Sequence, residues 1–140
     1  MFLVDTNVLA ALRKGSRCDP NVAAWNRRHP ITAMFVSVLT LGEIRKGIEA
    51  LRPRDSAQAR VLETWMGQVI GAFSERILLV DAATADVWGR LNVPHPLPAI
   101  DGLLAATARV HGLTLVTRNV QDFARTAVPL LNPFEDARDD

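Results

Sequence analysis

Cysteine is nearly absent from this chain, and long apolar runs are absent altogether. The one cysteine, Cys18, cannot form an internal disulfide, and no cluster of cysteine and histidine has the spacing of a zinc site. No apolar run approaches the ~20 residues that a membrane-spanning helix needs. The apolar start MFLVDTNVLA has no basic leader and contains Asp5, which is not typical of a secretory signal. We therefore expect a cytoplasmic protein with no membrane partner.

The net charge is also small, at +1, and by itself says nothing about partners. Its distribution is uneven, because residues 1–60 hold ten Lys and Arg against five Asp and Glu, whereas residues 61–140 hold six against ten. A basic N-terminal half could contact a polyanion, but solvated helix faces would explain the same charges. Only two of the 16 basic residues are lysine. Arginine suits bidentate contact with phosphate, although genomic base composition would also explain this bias.

What the chain does contain is an alternation of short apolar strands and amphipathic helices. The continuous apolar runs are typical of strands buried on both faces, and they predict strands at 2–4, 34–36, 77–80 and 113–116, with a short edge strand at 128–131. The spacing of apolar residues predicts helices at 6–12, 20–29, 39–51, 84–91 and 101–110, and most clearly at 61–73. This order predicts an α/β fold with a central parallel sheet of four to five strands and helices on both faces. We expect one domain over residues 1–134 and a frayed acidic tail over 135–140.

Acidic residues and one amide occur where the predicted strands end. Asp5 follows the first strand directly, and Glu43 lies on the first turns of the helix after the second strand. Asp101 opens the helix before the fourth strand, and Asn119 and Asp122 follow that strand. Ligands of a parallel sheet bind beyond the carboxyl ends of its strands, so these groups should meet at one edge.

Each of these groups, taken alone, also has a purely structural explanation. Asp5 and Asp101 could cap the helices that they open, and Asn119 could cap the turn at 120–123. Glu43 lies three residues after Thr40, which is the spacing of a capping box. Their convergence on one edge of the sheet favours a functional site over four separate caps.

Several carboxylates at one point need a counter-charge. Like charges a few ångströms apart raise each other's pKa, and burial of an unpaired carboxylate costs several kcal/mol. Mg²⁺ or Mn²⁺ would offset this cost, because hard cations prefer oxygen ligands. Such an ion can activate a water molecule and stabilise a leaving oxygen in phosphodiester hydrolysis. The acids therefore predict a Mg²⁺ site in which Mn²⁺ can substitute.

Two other acid-based α/β folds fit the sequence less well. A receiver domain has paired acids after its first strand and a lysine after its last. A phosphatase of the haloacid dehalogenase type has a second Asp two residues after its nucleophile, where this chain has Asn7. The only lysines, Lys14 and Lys46, follow no late strand.

Four segments, in their order and spacing, resemble one known family. They are FLVDTNVLAALRKG, VSVLTLGEIRKGIEAL, PAIDGLLAATARVHGLTLVTRNVQDF and LLNPF. Together they resemble the PIN-domain ribonucleases of the VapC toxin type, including the FitB-like branch, from Phe2 to Phe134. The resemblance implies a single PIN-like three-layer domain that acts as a Mg²⁺- or Mn²⁺-dependent endoribonuclease on RNA. It also implies a homodimer and a cognate VapB-type antitoxin that inserts its C-terminal segment into the active-site groove.

The resemblance assigns roles to the acids. Asp5, Glu43 and Asp101 match the family's invariant acids, and with Asp122 they form the expected catalytic set. Many PIN domains have Asp where this chain has Asn119, and here the pattern TRNxxDF places Asp122 one turn later. We expect Asp5, Asp101 and Asp122 to bind the metal, and Glu43 and Asn119 to reach it through water. Of the two residues Asn119 and Asp122, Asp122 should supply the charge and Asn119 an amide that holds a water.

Two further groups of residues surround the predicted site. Some should orient the carboxylates, although helix and turn capping explains them equally well; these are Thr6, Asn7, Ser37, Thr117 and Asn119. Others should contact RNA phosphates, although each taken alone is more often only surface charge; these are Arg13, Lys14, Arg17, Arg45, Lys46 and Arg118.

Two functions of different classes stay open at this point. The first is the endoribonuclease toxin of a type II toxin–antitoxin module. The second is a catalytically inactive PIN-fold protein that binds RNA or an antitoxin, with Asn119 as the mark of inactivity. In either case the apolar stripe at 61–73 is broad for one core contact, so part of it is predicted to form an isologous dimer seam.

Overall fold

A five-stranded parallel sheet forms the centre of the computed structural model, which describes residues 1–135. Apart from Glu135, the predicted tail lies outside the described residues. The strands are β1 (Phe2–Val4), β2 (Met34–Ser37), β3 (Ile77–Leu78), β4 (Thr114–Val116) and β5 (Leu130–Leu131). Their order is β3-β2-β1-β4-β5, and all neighbouring pairs are parallel. The predicted α/β fold is confirmed, and β1 lies at the middle of the sheet.

The helices lie between the strands, as the alternating pattern predicts. They are α1 (Thr6–Leu12), α2 (Pro20–Arg28), α3 (Val38–Leu51), α4 (Ser56–Phe73), α5 (Ala82–Leu91), α6 (Ala99–His111) and α7 (Val120–Phe123). Helix α6 begins two residues before the predicted start, directly after Pro98, so Asp101 lies within its first turn. It ends at Gly112, whose φ of 65° is the left-handed conformation that glycine adopts most easily.

Strand β3 is shorter than predicted because its neighbour ends. Val36 and Ser37 of β2 pair with Ile77 and Leu78 of β3, and the chain then turns into α3 at Val38. The next residue after β3, Leu79, is 68% exposed, and in the part of the chain that the structure describes no strand pairs with it.

Two apolar clusters cover the two faces of the sheet. Neighbouring residues of a strand point to opposite faces, so Leu3 and Val4 of β1 belong to different clusters. Val4 packs in the cluster that α1 to α4 build, and Leu3 packs in the cluster that α6 and α7 build. Helix α5 lies against α6. Between these two layers, β1 and β4 pair in parallel side by side.

The broad stripe of α4 is used only in part by this core. Val69 and Phe73 are buried, while Val61 and Ile70, at the two edges of the stripe, are 53% and 41% exposed. The dimer seam therefore stays a prediction, and it rests on the exposure of Val61 and Ile70 at the edges of the α4 stripe. Within residues 1–135, no helix combines the length and the apolar character needed to cross a membrane.

Candidate active site

The carboxyl ends of β1 and β4 are tied side by side. Asp5 follows β1, and its backbone N–H donates to the carbonyl of Val116, the last residue of β4, at 3.0 Å. Thr117 follows β4, and its N–H donates to the carbonyl of Leu131 in β5 at 3.0 Å. The first polar residues after two neighbouring strands are thereby placed next to each other.

Asp5 is the most deeply buried acid of the predicted site, at 7% exposure. Its Oδ1 accepts a 2.8 Å hydrogen bond from the N–H of Thr6, which makes it the cap of α1. Its Oδ2 accepts from the hydroxyl of Thr117 at 2.9 Å and from the amide of Asn7 at 3.4 Å. The capping explanation and the functional one therefore hold together, because one oxygen caps the helix and the other faces the polar end of β4.

Thr117 and Asn7 connect Asp5 to the chain that follows β4. The Thr117 hydroxyl accepts from Asn7 Nδ2 at 3.2 Å and from the N–H of Asn119 at 3.0 Å. Asn7 Oδ1 accepts from the N–H of Arg118 at 3.1 Å. The side chains of Asn7 and Thr117 thus contact the Asp5 carboxylate, as expected of groups that orient it, whereas Thr6 contacts Asp5 through its backbone N–H and Glu43 through its hydroxyl.

Glu43 reaches towards Asp5 from α3. The Thr6 hydroxyl donates to its Oε1 at 3.4 Å. Partial burial raises the pKa of Glu43, and the negative charges of Asp5 and Asp101 raise it further. The capping-box alternative is wrong, because α3 begins at Val38 and Ser37 precedes it as the cap.

Ser37 caps a helix, which is the alternative explanation for this residue, and within residues 1–135 its side chain has no hydrogen bond to a carboxylate. Its buried hydroxyl accepts from the N–H of Leu39 at 3.0 Å and starts α3. It acts on the site only by fixing the helix that carries Glu43. Sequence cannot separate the two roles, since both need a short polar side chain at the end of a strand.

Asp101 and Asp122 complete the group of acids. Asp101 is half-buried in the first turn of α6, and Asp122 is exposed on α7. Burial raises the pKa of Asp101, and the charges of Asp122 and Asp5 raise it further. The charges of Asp5 and Asp101 thus act on Glu43, and those of Asp122 and Asp5 act on Asp101, which supports placing the four acids near one another.

Asn119 and Asp122 lie on one short turn. Asn119 precedes α7 but makes no capping bond with its side chain, so that alternative is wrong. Its carbonyl instead accepts from the N–H of Asp122 at 3.1 Å. Both residues are exposed, which leaves the amide of Asn119 accessible to water.

The donor set fits an open magnesium site better than a closed one. Within residues 1–135, no three His, Cys, Asp or Glu side chains form a group that could hold a metal ion by themselves. Mg²⁺ is commonly held by one or two carboxylates and keeps several waters, so such a group is not required. The side chains offer the oxygen ligands that a hard cation prefers. The charge of such a cation would lower the pKa values of Glu43 and Asp101, which burial and neighbouring carboxylates raise.

The six predicted RNA-binding residues lie in different parts of the structure. Lys14, Arg17 and Arg118 line one pocket together with Asn7. Lys46 lies close enough to Glu43 that its charge opposes the rise in the pKa of that acid. The remaining two are engaged elsewhere: Arg13 lies over the Trp65 ring at 5.9 Å from its centroid, and Arg45 pairs with Glu49 and Glu63.

One residue that sequence patterns do not single out is Arg125, just after α7. Its guanidinium donates to the carbonyls of His95 at 2.7 Å and Pro96 at 2.6 Å. These carbonyls belong to the loop that leads into α6, so Arg125 links the segments that carry Asp122 and Asp101. No charge pattern signals this contact, because both acceptors are backbone carbonyls about 30 residues away.

The chain is similar to known proteins over nearly its whole length. The family model described as the PIN domain matches residues 2–129. The chain is 30% identical over 142 residues to VapC ribonuclease Y4jK of Sinorhizobium fredii, covering 98% of this chain and 100% of that protein. It is 31% identical over 144 residues to toxin FitB of Neisseria gonorrhoeae, covering 97% and 100%.

A solved structure shows the same fold. The crystal structure of FitAcB from Neisseria gonorrhoeae has a TM-score of 0.87 and 28% identity, and the match covers 96% of this chain and 99% of that one. The resemblance found in the four sequence segments is confirmed at the level of family and fold. Since the family match and the relatives span nearly the whole chain, this chain belongs to the PIN domain family.

Proposed function

We propose that the chain is a metal-dependent endoribonuclease and the toxin of a type II toxin–antitoxin module. The observation that carries the proposal is the convergence of Asp5, Glu43, Asp101 and Asp122 on one region beyond the strand ends. The names of the relatives, a VapC ribonuclease and a toxin, support the same function.

The side chains present would suit Mg²⁺, with Mn²⁺ as a substitute. Asp5, Asp101 and Asp122 would hold the ion either directly or through one water each, because the three do not form a closed group within residues 1–135, and Glu43 and Asn119 would reach it through water. When bound, such an ion supplies a more acidic water and a positive charge beside the phosphodiester oxygens.

The chain's own residues then have distinct tasks. Thr6 and Thr117 hold the Asp5 carboxylate in one orientation, which limits the rearrangement that substrate binding requires. Glu43 reaches towards Asp5 from α3 through the hydroxyl of Thr6, so it would orient the attacking water or accept its proton. Lys14, Arg17 and Arg118 supply positive charge for the RNA backbone.

The proposed partners are RNA, a cognate VapB-type antitoxin and a second copy of the chain. The antitoxin rests on the resemblance to VapC-type toxins and on the relative named toxin FitB. The homodimer rests on the exposed edges of the α4 stripe at Val61 and Ile70.

Cleavage of total RNA tests the proposed activity. In Mg²⁺ or Mn²⁺, the wild-type chain should cleave and Asp5→Asn should not, because the variant keeps the shape of Asp5 but loses its charge. Asp86→Asn is the matched control, since Asp86 lies on α5 and pairs with Arg90 at the surface. Equal cleavage by wild type and Asp5→Asn would refute the mechanism.

An inactive PIN-fold protein that binds RNA or an antitoxin is the second candidate. It is favoured by Asn119, which stands where many family members have an acid, and by the lack of a closed three-acid group in residues 1–135. This candidate predicts RNA or antitoxin binding without cleavage and without affinity for Mn²⁺.

A further inference from the structure

A pocket lined by three cations lies next to Asp5, to which it is connected through Asn7. Its volume is about 430 Å³, and its polar and aromatic walls are Asn7, Lys14, Arg17, Asp19, Arg118 and Phe134. We call it the basic pocket. It brings residues from α1 and its C-terminal turn together with the turn after β4 and with the end of the described chain.

The charge balance of the basic pocket favours an anion. Lys14, Arg17 and Arg118 are exposed cations. Among the described residues that line the pocket, the one acid is Asp19, and it is already engaged, because its Oδ1 accepts from the N–H groups of Asn21 at 2.9 Å and Val22 at 3.2 Å and caps α2. The three cations therefore face an acid whose charge is partly used by the helix N-terminus.

Arg118 is held in place on two sides. Its guanidinium carbon lies 3.7 Å from the centroid of the Phe134 ring, and its backbone N–H donates to Asn7 Oδ1 at 3.1 Å. The carbonyl of Phe134 accepts from Asn21 Nδ2 at 2.9 Å, which fixes the residue that carries the ring. A guanidinium that stacks on a ring keeps its edge free for hydrogen bonds, and a preorganised cation loses less entropy when it binds a phosphate.

Asn7 connects the basic pocket with the acids. It lines the pocket, and its Nδ2 donates to Asp5 Oδ2 at 3.4 Å. A polyanionic chain that lies over the acids is repelled by them and needs compensating positive charge close by. The basic pocket is one side chain away from Asp5 and offers that charge.

We propose that the basic pocket binds a backbone phosphate of single-stranded RNA next to the phosphate that is cleaved. This inference rests on the proposed ribonuclease function and adds the subsite that sets the register of the strand. The contact is to phosphate and carries no base information, so it positions the RNA without selecting a sequence. An acidic segment of a protein partner would meet the same cations, and the experiment separates the two ligands.

The first experiment measures binding without cleavage. A fluorescently labelled ten-nucleotide single-stranded RNA is titrated in EDTA with three full-length proteins over a range of salt concentrations. They are the wild type, the double variant Lys14→Ala with Arg17→Ala, and the control Arg54→Ala with Arg60→Ala. The control removes the same charge from exposed positions outside the basic pocket.

The pocket variant should bind roughly 10-fold more weakly, and its slope of log affinity against log salt should be smaller by about 0.7 for each phosphate that the variant no longer neutralises. The control should keep the wild-type slope. Equal slopes for the two double variants would overturn the proposal. A heptaglutamate peptide is titrated in parallel with the RNA. If the pocket variant binds only the peptide more weakly, the proposal is also overturned, and the pocket is assigned to a protein partner.

The second experiment locates the phosphate. Each phosphate of the same RNA is replaced in turn by an uncharged methylphosphonate. Replacement at one position should weaken binding to the wild type and have no further effect on binding to the pocket variant. Cleavage of the unmodified RNA in Mn²⁺ should occur at the bond next to that position. A flat scan overturns the pocket. A position-specific effect without any cleavage supports the pocket and refutes the ribonuclease function instead.

Discussion

The hydroxyl of Thr117 donates a 2.9 Å hydrogen bond to Oδ2 of Asp5, across 112 residues of sequence and between the ends of two neighbouring strands. The bond is buried, and it is one of three hydrogen bonds that the Asp5 carboxylate accepts. It joins the two halves of the group of acids, because Asp5 follows β1 whereas Asn119 and Asp122 follow β4. The order of the strands in the sheet is what brings these distant segments together.

The first prediction concerns this hydrogen bond. Thr117→Val keeps the shape of the side chain but removes the donor to Asp5 and the acceptor for Asn119 N–H. Unfolding free energy should fall by about 1–3 kcal/mol, and RNA cleavage by roughly 10- to 100-fold, as for other residues that orient ligands. Denaturant titration and cleavage rates check the two effects.

Thr107→Val is the matched control for Thr117→Val. Thr107 is also fully buried, but its hydroxyl donates to the Leu103 carbonyl within α6. It should lose stability without a comparable fall in cleavage by the folded protein. An equal fall in cleavage for both variants would count against a specific role for Thr117.

The second prediction concerns stability in the absence of metal. Asp101 has its ordinary pKa of 3.8 in the unfolded chain and a higher pKa in the folded chain. At pH values between the ordinary pKa and the raised one, the folded state therefore binds more protons than the unfolded state. Stability therefore falls as pH rises through that window and stays lowered above it. Asp101→Asn should raise the melting temperature at pH 7 in EDTA, and the gain should vanish below pH 3.8.

Asp81→Asn is the contrasting variant. Hydrogen bonds from Thr84 lower the pKa of Asp81, so its charge stabilises the folded chain above the ordinary pKa and its removal should lower the melting temperature at pH 7. A drop in melting temperature for Asp101→Asn under the same conditions would show that Asp101 is not destabilised by its neighbours.

The third prediction divides the tasks of Asp122 and Asn119. The charge of Asp122 contributes to the raised pKa of Asp101, so Asp122→Asn should lower the pKa of Asp101 in an NMR titration. Asp122→Ala should reduce metal-dependent cleavage more strongly than Asn119→Ala, because it removes charge rather than a water-holding amide. Full activity of Asp122→Ala together with inactivity of Asn119→Ala would reverse the two roles.

The fourth prediction concerns the second copy of the chain. Val61 and Ile70 flank the buried middle of the α4 stripe, and both are exposed. Light scattering at micromolar concentration should show a dimer for the wild type and a monomer for Val61→Glu with Ile70→Glu. Leu79→Glu, at an exposed position after β3, should stay dimeric. A monomeric wild type would contradict the predicted seam.

The sequence predicts the elements and the acids well, for one physical reason. Continuous apolar runs predict which segments are strands, and parallel strands place their carboxyl ends at one edge, so Asp5 and the turn after β4 converge. Apolar runs do not predict that β3 ends before Leu79, because Leu79 is itself apolar. It is left out of the strand because the neighbouring strand, β2, has already ended.

Contacts between side chains of different elements are harder to foresee. The sequence predicts an RNA contact for Arg45, yet this residue pairs with Glu49 and with Glu63 on the next helix. Arg118 stacks on Phe134 from the far end of the described chain, and Arg125 holds two backbone carbonyls. Such pairings depend on how helices and loops pack in three dimensions, which local sequence patterns do not encode.

Calorimetric titration of Mn²⁺ into the metal-free chain at pH 7 tests the central claim most directly. Wild type and the surface control Asp86→Asn should bind Mn²⁺ saturably, and Asp101→Asn should not, because the acids act together as one metal site. Equal binding by wild type and Asp101→Asn, or no binding by the wild type, would contradict a carboxylate-held metal as the basis of the proposed activity.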